Sequence, residues 1–352
     1  MSSFIWDVAT RSYKNLQGNS SPTFLLKHGW DIPTASFVAA NSAAMELLPY
    51  DGVVMQLNDR LSSQVMRPAP ISYEQYVNAF RNIDSVNFTS LTHNFAIIYS
   101  TPAGSLFDDW SVSIQNFANI ARAAKRAGMR GIFFDNEEYF GKAMVYDDTN
   151  YTIEQGCSQA TLRGRQIMEA IQSEWSDVNI IVAHGPYIGE DATAQYLRAN
   201  DIPFNDVAWA NKLKASFAIG IAEATIDSAA RFIDGGEIYT ARTAAHFEAI
   251  KYWQKQGVST QGSLIPQHLQ DKWTTAVSAS FGIYDNSGLT VDREMDLAAW
   301  QSTITNALSI ADLYTWIYTE KYNWWGTGEA TNLVPSEWIE ATRQAKHLNR
   351  RV

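Results

Sequence analysis

Short apolar runs alternate with amphipathic stretches along the whole chain. Eight of these runs have the length and apolar character of buried strands, and segments with apolar residues at helical spacing separate most of them. Successive runs begin on average roughly forty residues apart, which is the length of one β–loop–α–loop unit. The predicted strands cover residues 23–30, 51–58, 94–100, 130–137, 178–185, 231–239, 279–286 and 311–318.

The amphipathic segments carry start and stop signals that are typical of helices. The segment 111–128 has apolar residues at helical spacing and ends in basic residues followed by Gly128, a good helix stop. The last segment opens with Pro335, a residue favoured in the first turn. Helices are therefore predicted over residues 72–83, 111–128, 240–257, 292–311 and 335–350.

Eight strand–helix units with a helix last predict an α/β fold, the (β/α)8 TIM barrel, as a single domain over residues 1–352. Residues 186–230 hold two or three helical patterns, so an enlarged helical insertion is expected between strands five and six. A doubly wound open sheet is the alternative. That fold usually carries a glycine-rich nucleotide loop after its first strand, and its absence here favours the barrel.

Composition and charge exclude several classes of partner. The net charge is −10 and no Lys/Arg run stands out, so we expect no nucleic-acid partner. No stretch of 18 consecutive apolar residues predicts a membrane span. The single cysteine, Cys157, excludes an internal disulfide and a cysteine-based zinc cluster. No cofactor is expected, and the oligomeric state is left open. The first residues lack signal-peptide features, which predicts a cytoplasmic protein by default, or a secreted one if a leader was removed.

Acidic residues collect where the predicted strands end. The active site of such a barrel lies at the C-terminal strand ends and the loops after them. The fourth strand runs into Asp135, Asn136 and Glu137, and alternation places Asp135 and Glu137 on one face. If Phe133 packs inward, both carboxylates reach the floor of the barrel mouth. Two close carboxylates raise at least one pKa, as a general acid needs near neutral pH.

This pattern suits hydrolysis of a glycosidic bond, which uses two carboxyl groups across the bond. Aromatic residues make up 12% of the chain, and flat rings beside the acids would stack on sugars. Glu137 is the predicted general acid/base, and Glu237 is the predicted nucleophile or second base, with Glu320 as the alternative. Asp135 would tune Glu137. The predicted substrate-binding residues are Trp30, His28, Tyr139, His184, Tyr239, Asp285, Lys321, Trp324 and Trp325.

Each of these residues also has a structural interpretation. Asp135 could cap the following loop, and Glu137 could pair with Lys27 or Lys321. Glu237 could be a solvated loop acid, and the Trp324–Trp325 pair could plug the barrel or pack under the last helix.

Two other functions compete with the glycosidase hypothesis. A metal-dependent barrel hydrolase of the phosphodiesterase or amidohydrolase type could use His28, His184, Asp135, Glu137 and Asp285 as ligands. That class usually carries a His-x-His at the first strand, whereas this strand offers one histidine. A non-catalytic carbohydrate-binding barrel would keep the aromatic residues and need no tuned acid.

Two family resemblances support the glycosidase hypothesis. Residues 131–137 resemble the DGxxxDxE ending of strand four in chitinase-like barrels, without the first acids of that motif. The resemblance implies that Glu137 is the acid and that Asp135 helps an acetamide group of the substrate to attack. Nearly the whole chain resembles a loosely defined, mostly bacterial set of (β/α)8 glycoside hydrolases. The resemblance implies a carbohydrate substrate without naming the sugar. The matching segments are 29–33 (GWDIP), 49–52 (PYDG), 134–139 (FDNEEY), 234–239 (DGGEIY) and 316–325 (WIYTEKYNWW).

Overall fold

The computed structural model describes residues 4–7, 12–15, 22–138, 141, 143–204, 211–285, 295–320, 322–328 and 332–349. All eight predicted strands are confirmed, although the seventh is interrupted at Ser280. The strands are β1 (Phe4–Asp7), β2 (Ser12–Asn15), β3 (Phe24–Gly29), β4 (Gly52–Met55), β5 (Phe95–Tyr99), β6 (Gly131–Asp135), β7 (Asn179–Val182), β8 (Arg231–Asp234), β9 (Val277–Ala279), β10 (Phe281–Tyr284), β11 (Tyr314–Thr319), β12 (Tyr322–Asn323) and β13 (Asn332–Leu333).

Nine of these strands form one parallel sheet that closes on itself. The order is β10-β11-β3-β4-β5-β6-β7-β8-β9, and β9 and β10 are consecutive in the chain with only Ser280 between them. The seventh predicted strand thus pairs with β8 through its first half and with β11 through its second half. The predicted barrel is confirmed, and the open-sheet alternative is wrong. Outside the barrel, β1 pairs with β2 in a separate antiparallel hairpin.

Helices follow most barrel strands, as predicted, and the insertion between strands five and six adds α5 and α6. No helix in the described part of the chain is long and apolar enough to cross a membrane. The predicted helix over 240–257 is shorter, because α7 ends at Tyr252 and a π-helical turn, Trp253–Gly257, follows. The helices are α1 (Ala35–Met45), α2 (Tyr73–Ala79), α3 (Ser111–Arg126), α4 (Ile153–Glu174), α5 (Ala192–Ala199), α6 (Lys212–Thr225), α7 (Ala244–Tyr252), α8 (Val258–Thr260), α9 (Gln267–Ala276), α10 (Leu297–Ile310) and α11 (Ser336–Asn349).

Side chains alternate between two buried layers along each barrel strand. Leu26, Phe133 and Trp316 belong to the cluster inside the barrel. Their neighbours Leu25 and Phe134 pack in the layer between the barrel and the helices. Phe133 therefore packs inward, which was the condition for Asp135 and Glu137 to reach the barrel mouth. The same alternation decides which strand-end residues face the mouth and which face the outer layer.

Candidate active site

Three neighbouring strands deliver the central polar residues. In the ladder, Phe134 of β6 is level with Val182 of β7, which is level with Asp234 of β8. Glu137 and His184 lie two residues beyond the ends of β6 and β7, and Glu237 lies three residues beyond the end of β8. Because parallel strands end at the same edge, the three side chains meet above the barrel.

Glu137, His184 and Glu237 form one contact group, which we call the open cluster. His184 Nε2 lies 3.3 Å from Glu137 Oε1 and 3.3 Å from Glu237 Oε2. One ligating atom from each residue lies within 4.8 Å of the other two. The histidine side chain is only 2% exposed, whereas those of Glu137 and Glu237 are 23% and 13% exposed. The two carboxylates therefore face the barrel mouth with the imidazole beneath them.

The protonation of His184 follows from its surroundings. Burial lowers the pKa of His184, and the hydrogen bond to Glu137 only partly opposes this, so the ring is neutral near pH 7. Its contacts with the glutamates are then hydrogen bonds from a neutral ring rather than ion pairs. Because an ionised carboxylate only accepts, Nε2, which faces the two glutamates, carries the proton, and Nδ1 accepts from Tyr187 Oη, 3.0 Å away. The imidazole thus offers its one proton to the two carboxylates.

Asp135 and Asp234 shape the backbone at the strand ends. Asp135 Oδ1 accepts the backbone N–H of Glu137 at 3.0 Å, and Asp234 Oδ1 accepts that of Gly236 at 3.1 Å. Both aspartates therefore form an Asx-type turn, Asp135 two residues before Glu137 and Asp234 three residues before Glu237. This is the capping role considered for Asp135 from the sequence.

One aromatic wall borders the open cluster. Tyr239 donates its hydroxyl to Glu237 Oε1 at 2.9 Å, and its ring stacks on that of Tyr318 at 5.5 Å. Burial, and then the charge of Glu237, raise the pKa of Tyr239 well above its usual value, so it stays a donor. Trp30 donates its indole N–H to Tyr318 Oη at 2.9 Å and is 45% exposed. The predicted residues Trp30 and Tyr239 are thus joined to the cluster through Tyr318.

Glu320 lies one aromatic ring away from the open cluster. It accepts the Tyr284 hydroxyl at 2.8 Å, and the Tyr284 ring lies 5.3 Å from that of Tyr239. Among the described residues, the carboxylates whose ligating atoms lie within 4.8 Å of His184 and of each other are those of Glu137 and Glu237, and Glu320 does not belong to this group. The structure therefore brings Glu237, rather than Glu320, next to Glu137.

A second polar group, which we call the sealed cluster, consists of Lys27, Asp31 and Asp285. Lys27 Nζ lies 2.6 Å from Asp31 Oδ1, and all three residues have no exposed surface. Lys27 and Asp285 follow Leu26 and Tyr284, which point into the barrel, so both face its outside. Trp324 covers the group by donating its backbone N–H to Asp31 and its indole N–H to Asp285. Asp285 thus lies away from the mouth, and Lys27 pairs with Asp31 rather than with Glu137.

The remaining predicted residues fall in three places. His28 is buried inside the barrel against Phe133, with ring centroids 4.8 Å apart, and burial lowers its pKa to about 3. Trp324 and Trp325 are buried in the layer between the barrel and the helices and pack around Tyr50, at centroid distances of 5.3 and 5.5 Å, which contradicts the plugging interpretation. Tyr139 and Lys321 lie outside the described residues.

Sequence reasoning missed the residues that fix the cluster from behind. The Asn136 side chain donates to the His184 carbonyl at 2.7 Å and accepts its N–H at 2.9 Å, continuing the ladder past the end of β6. Tyr187 orients the imidazole ring of His184. The sequence did carry a signal for this contact, because Tyr187 follows His184 by three residues and lies on a 3₁₀ turn. Gln254, which bonds Asp234 at 2.9 Å, lies on the π-helical turn and left no readable signal.

Comparisons with known proteins identify the fold. No protein-family model and no curated protein matches the chain. An exo-β-1,4-mannosidase from Opitutaceae bacterium strain TAV5 is similar with 10% identity and a TM-score of 0.52, over 99% of this chain and 62% of that chain. A chitinase from Pseudoalteromonas aurantia has 12% identity and a TM-score of 0.42, over 92% and 100%. An endocellulase from Pyrococcus horikoshii has 10% identity and a TM-score of 0.44, over 98% and 96%.

This chain therefore spans less than two thirds of the mannosidase that it matches. At 10% identity the similarity concerns the path of the backbone and transfers no residue role from one protein to the other. What it establishes is that this chain shares the barrel fold of that glycoside hydrolase.

Proposed function

We propose that this protein is a glycoside hydrolase in which Glu137 and Glu237 cleave the glycosidic bond. The observation that carries the proposal is the pairing of two partly exposed carboxylates at the C-terminal rim of a barrel, with ligating atoms within 4.8 Å of each other. This separation is closer to the about 5–5.5 Å of retaining enzymes than to the about 6.5–9.5 Å of inverting ones. We therefore propose a double displacement with retention of configuration.

Hydrogen bonding supports distinct roles for the two carboxylates. Both glutamates lie 3.3 Å from His184 Nε2, but Glu237 also accepts from Tyr239 at 2.9 Å, and such a donor favours the ionised form of a carboxylate. Two neighbouring carboxylates do not both ionise readily, so the remaining proton resides on Glu137. Glu237 is then the nucleophile, and Glu137 is the general acid.

The steps follow from these roles. Glu237 attacks the anomeric carbon as the glycosidic C–O bond breaks, and Glu137 gives its proton to the leaving oxygen. Glu137 then takes a proton from water, the oxygen of that water bonds to the anomeric carbon, and Glu237 is released. His184 holds both carboxylates in position, rather than binding sugar hydroxyls as predicted from the sequence. Trp30 offers an exposed indole face on which a sugar can stack.

The substrate is proposed as a carbohydrate, and its sugar is a matter for screening. The similar structure with the highest TM-score reported above is named as an exo-β-1,4-mannosidase, so manno-oligosaccharides come first in a screen of oligosaccharides and aryl glycosides. The 10% identity makes this a choice of starting point only.

Comparing leaving groups tests both carboxylates at once. Glu137→Gln should lower turnover of an oligosaccharide by about 10²–10⁴-fold, because the sugar leaving group needs a proton. The same variant should lose much less activity on a 2,4-dinitrophenyl glycoside, because this leaving group departs without a proton. Glu237→Gln should lose activity on both substrates, because the nucleophile is needed for each.

The matched control is Glu223→Gln, which changes a glutamate of α6 whose carboxylate pairs with Arg165 at 3.7 Å. It should retain wild-type turnover on both substrates. Full activity of Glu137→Gln on oligosaccharides would remove the proposal. Retained activity of Glu237→Gln would move the nucleophile to another carboxylate.

A metal-dependent hydrolase is the second candidate, favoured by the same three residues. Ligands of a tetrahedral Zn²⁺ at about 2.1 Å lie about 3.4 Å apart, close to both 3.3 Å contacts of His184. Tyr187 would then orient the ring by accepting from Nδ1, as partners of metal-bound histidines do. Hydrolytic activity that is lost in EDTA and restored by a divalent ion would support this candidate. Hydrolysis of a glycoside that is unchanged in EDTA would support the glycosidase.

A further inference from the structure

A cavity lies on the same rim of the barrel as the open cluster. This cavity of about 410 Å³ opens between the loop that follows β5 and the loop that follows β6. This volume is within the range of small-ligand sites, about 300–1,000 Å³. The cavity is lined by Ser105, Phe107, Val145, Asp147, Asn150 and Tyr151, among others.

The walls of this cavity combine exposed aromatic faces with polar groups. Phe107 is 47% exposed, and its ring lies 4.8 Å from that of Tyr151. The neighbouring Tyr146 is 42% exposed and lies 5.8 Å from the Tyr151 ring. Large exposed apolar groups that gather in one place usually mark a binding surface. The amide of Asn150 donates to the carboxylate of Asp147 at 2.6 Å, so these two polar groups form one hydrogen-bonded pair beside the rings.

Both aromatic walls are held in place from below by α4. Arg163 donates to the Leu106 carbonyl at 2.9 Å, which fixes the chain next to Phe107. Tyr151 immediately precedes Thr152, the N-cap residue of α4, whose side chain accepts from Gln155 in a capping box. A ring and a turn fixed in this way lose little freedom when a ligand binds.

The cavity is connected to the catalytic residues through one side chain. Glu138 follows Glu137 in the chain, and both of its carboxylate oxygens lie 3.3 Å from the backbone N–H of Met144. Met144 follows Ala143, which lines the cavity. Because Glu138 follows Glu137, this wall of the cavity is anchored at the strand end that carries the proposed catalytic acid.

We propose that this cavity is a distal subsite for an uncharged sugar unit, so that the substrate is a glycan chain rather than a small glycoside. Pyranose rings present an apolar face to Phe107 and Tyr151 and hydroxyls to Asp147 and Asn150. No Lys or Arg is among the described residues that line the cavity, and Asp147 repels anions, which excludes acidic sugars. The inference rests on the proposed function for the position of the cleaved bond.

Affinity electrophoresis tests the subsite without requiring catalysis. Native gels would contain soluble glucomannan, mixed-linkage β-glucan or glycol chitin, and the protein would carry Glu137→Gln so that the polymer stays intact. Retardation is expected in at least one gel. Adding Phe107→Ala should weaken retention about tenfold through loss of the ring's buried apolar area. Tyr252→Ala, which removes an exposed aromatic residue of α7, should leave retention unchanged.

Kinetics separate failure of the subsite from failure of the proposed function. In the protein that keeps its native Glu137, Phe107→Ala should raise the KM for the retained polymer about tenfold and leave the KM for an aryl monoglycoside unchanged. Retention by the polymer without any hydrolysis would sink the glycosidase and support the subsite. The subsite would be overturned if the protein hydrolysed aryl glycosides but the polymer retained the Phe107→Ala protein as strongly as the protein with Phe107. It would also be overturned if no gel retained the protein.

Discussion

The open and sealed clusters combine similar residues at neighbouring places and differ in almost every other respect. The open cluster joins two acids to a neutral histidine, and its carboxylates remain partly exposed. The sealed cluster joins two acids to a lysine, and none of its three side chains reaches solvent. An ionic group that no substrate can reach contributes to structure, whereas exposed, closely spaced carboxylates can contact a substrate. Access and side-chain direction, rather than residue type, separate the two.

The largest effect is expected from breaking the sealed cluster. Lys27→Met leaves Asp31 buried without its 2.6 Å partner and should lower the free energy of unfolding by about 3–5 kcal/mol. Chemical denaturation would measure this loss. The protein that remains folded should keep its catalytic activity, because Lys27 does not contact the open cluster in the described structure.

The matched control for this change is Lys212→Met. Lys212 pairs with Asp191 at 3.1 Å on the surface, and exposed pairs contribute at most about 1 kcal/mol. If both lysine variants lost equal stability, the sealed cluster would have no special structural role. If Lys27→Met stayed stable but lost turnover, the cluster would belong to the active site.

The sequence predicted the barrel well because its strands are short, apolar and regularly spaced. It also placed Glu137 at the barrel mouth on the condition that Phe133 packs inward, and the structure meets that condition. The same alternation applied to Leu26 and Tyr284 would have turned Lys27 and Asp285 away from the mouth. That step requires knowing which residue of each strand packs inward, and fully apolar strands such as β4 hide this.

Contacts made by loops were beyond prediction for a different reason. The Trp324–Trp325 pair looks like a sugar platform in sequence, yet Tyr50, distant in the chain, covers it. The PYDG segment belongs to the resemblance to glycoside hydrolases, yet Asp51 accepts the Leu25 backbone N–H at 2.9 Å and pairs with Lys346 at 2.8 Å. Such long-range packing leaves no periodic signal, so motif resemblance could not separate structural from functional segments.

An intermediate effect is expected from removing one donor to the open cluster. Tyr239→Phe deletes the hydroxyl that donates to Glu237 at 2.9 Å. Hydrogen bonds to charged groups contribute about 1.5–3 kcal/mol, so kcat/KM should fall roughly 10- to 100-fold. The acidic limb of the pH–rate profile should also move to higher pH, because ionised Glu237 loses a donor that favours it.

Tyr284→Phe is the matched change, because it deletes the hydroxyl that donates to Glu320. It should leave the acidic limb where it is in the wild type. The opposite ranking, with Tyr284→Phe shifting the limb and Tyr239→Phe silent, would assign the second carboxylate to Glu320. The pair of variants therefore decides which glutamate works with Glu137.

The smallest effect concerns the pH dependence of stability, which the sealed cluster should dominate. Burial raises the pKa of Asp285 from 3.8 to about 8, although the charge of Lys27 opposes this. The folded protein then holds a proton that the unfolded chain releases, so the contribution of Asp285 to stability falls as the pH rises from about 4 to about 8. Burial lowers the pKa of His28 to about 3 and that of His93 to about 4, and these histidines have the opposite effect at pH values below about 6.5. Thermal melting between about pH 6.5 and about pH 8 should therefore show a falling Tm, with a shallower fall for Asp285→Asn. Burial also raises the pKa of Asp234, to about 7, and that residue should supply slope that persists in the variant. An unchanged slope in Asp285→Asn would show that Asp285 is ionised in the folded protein.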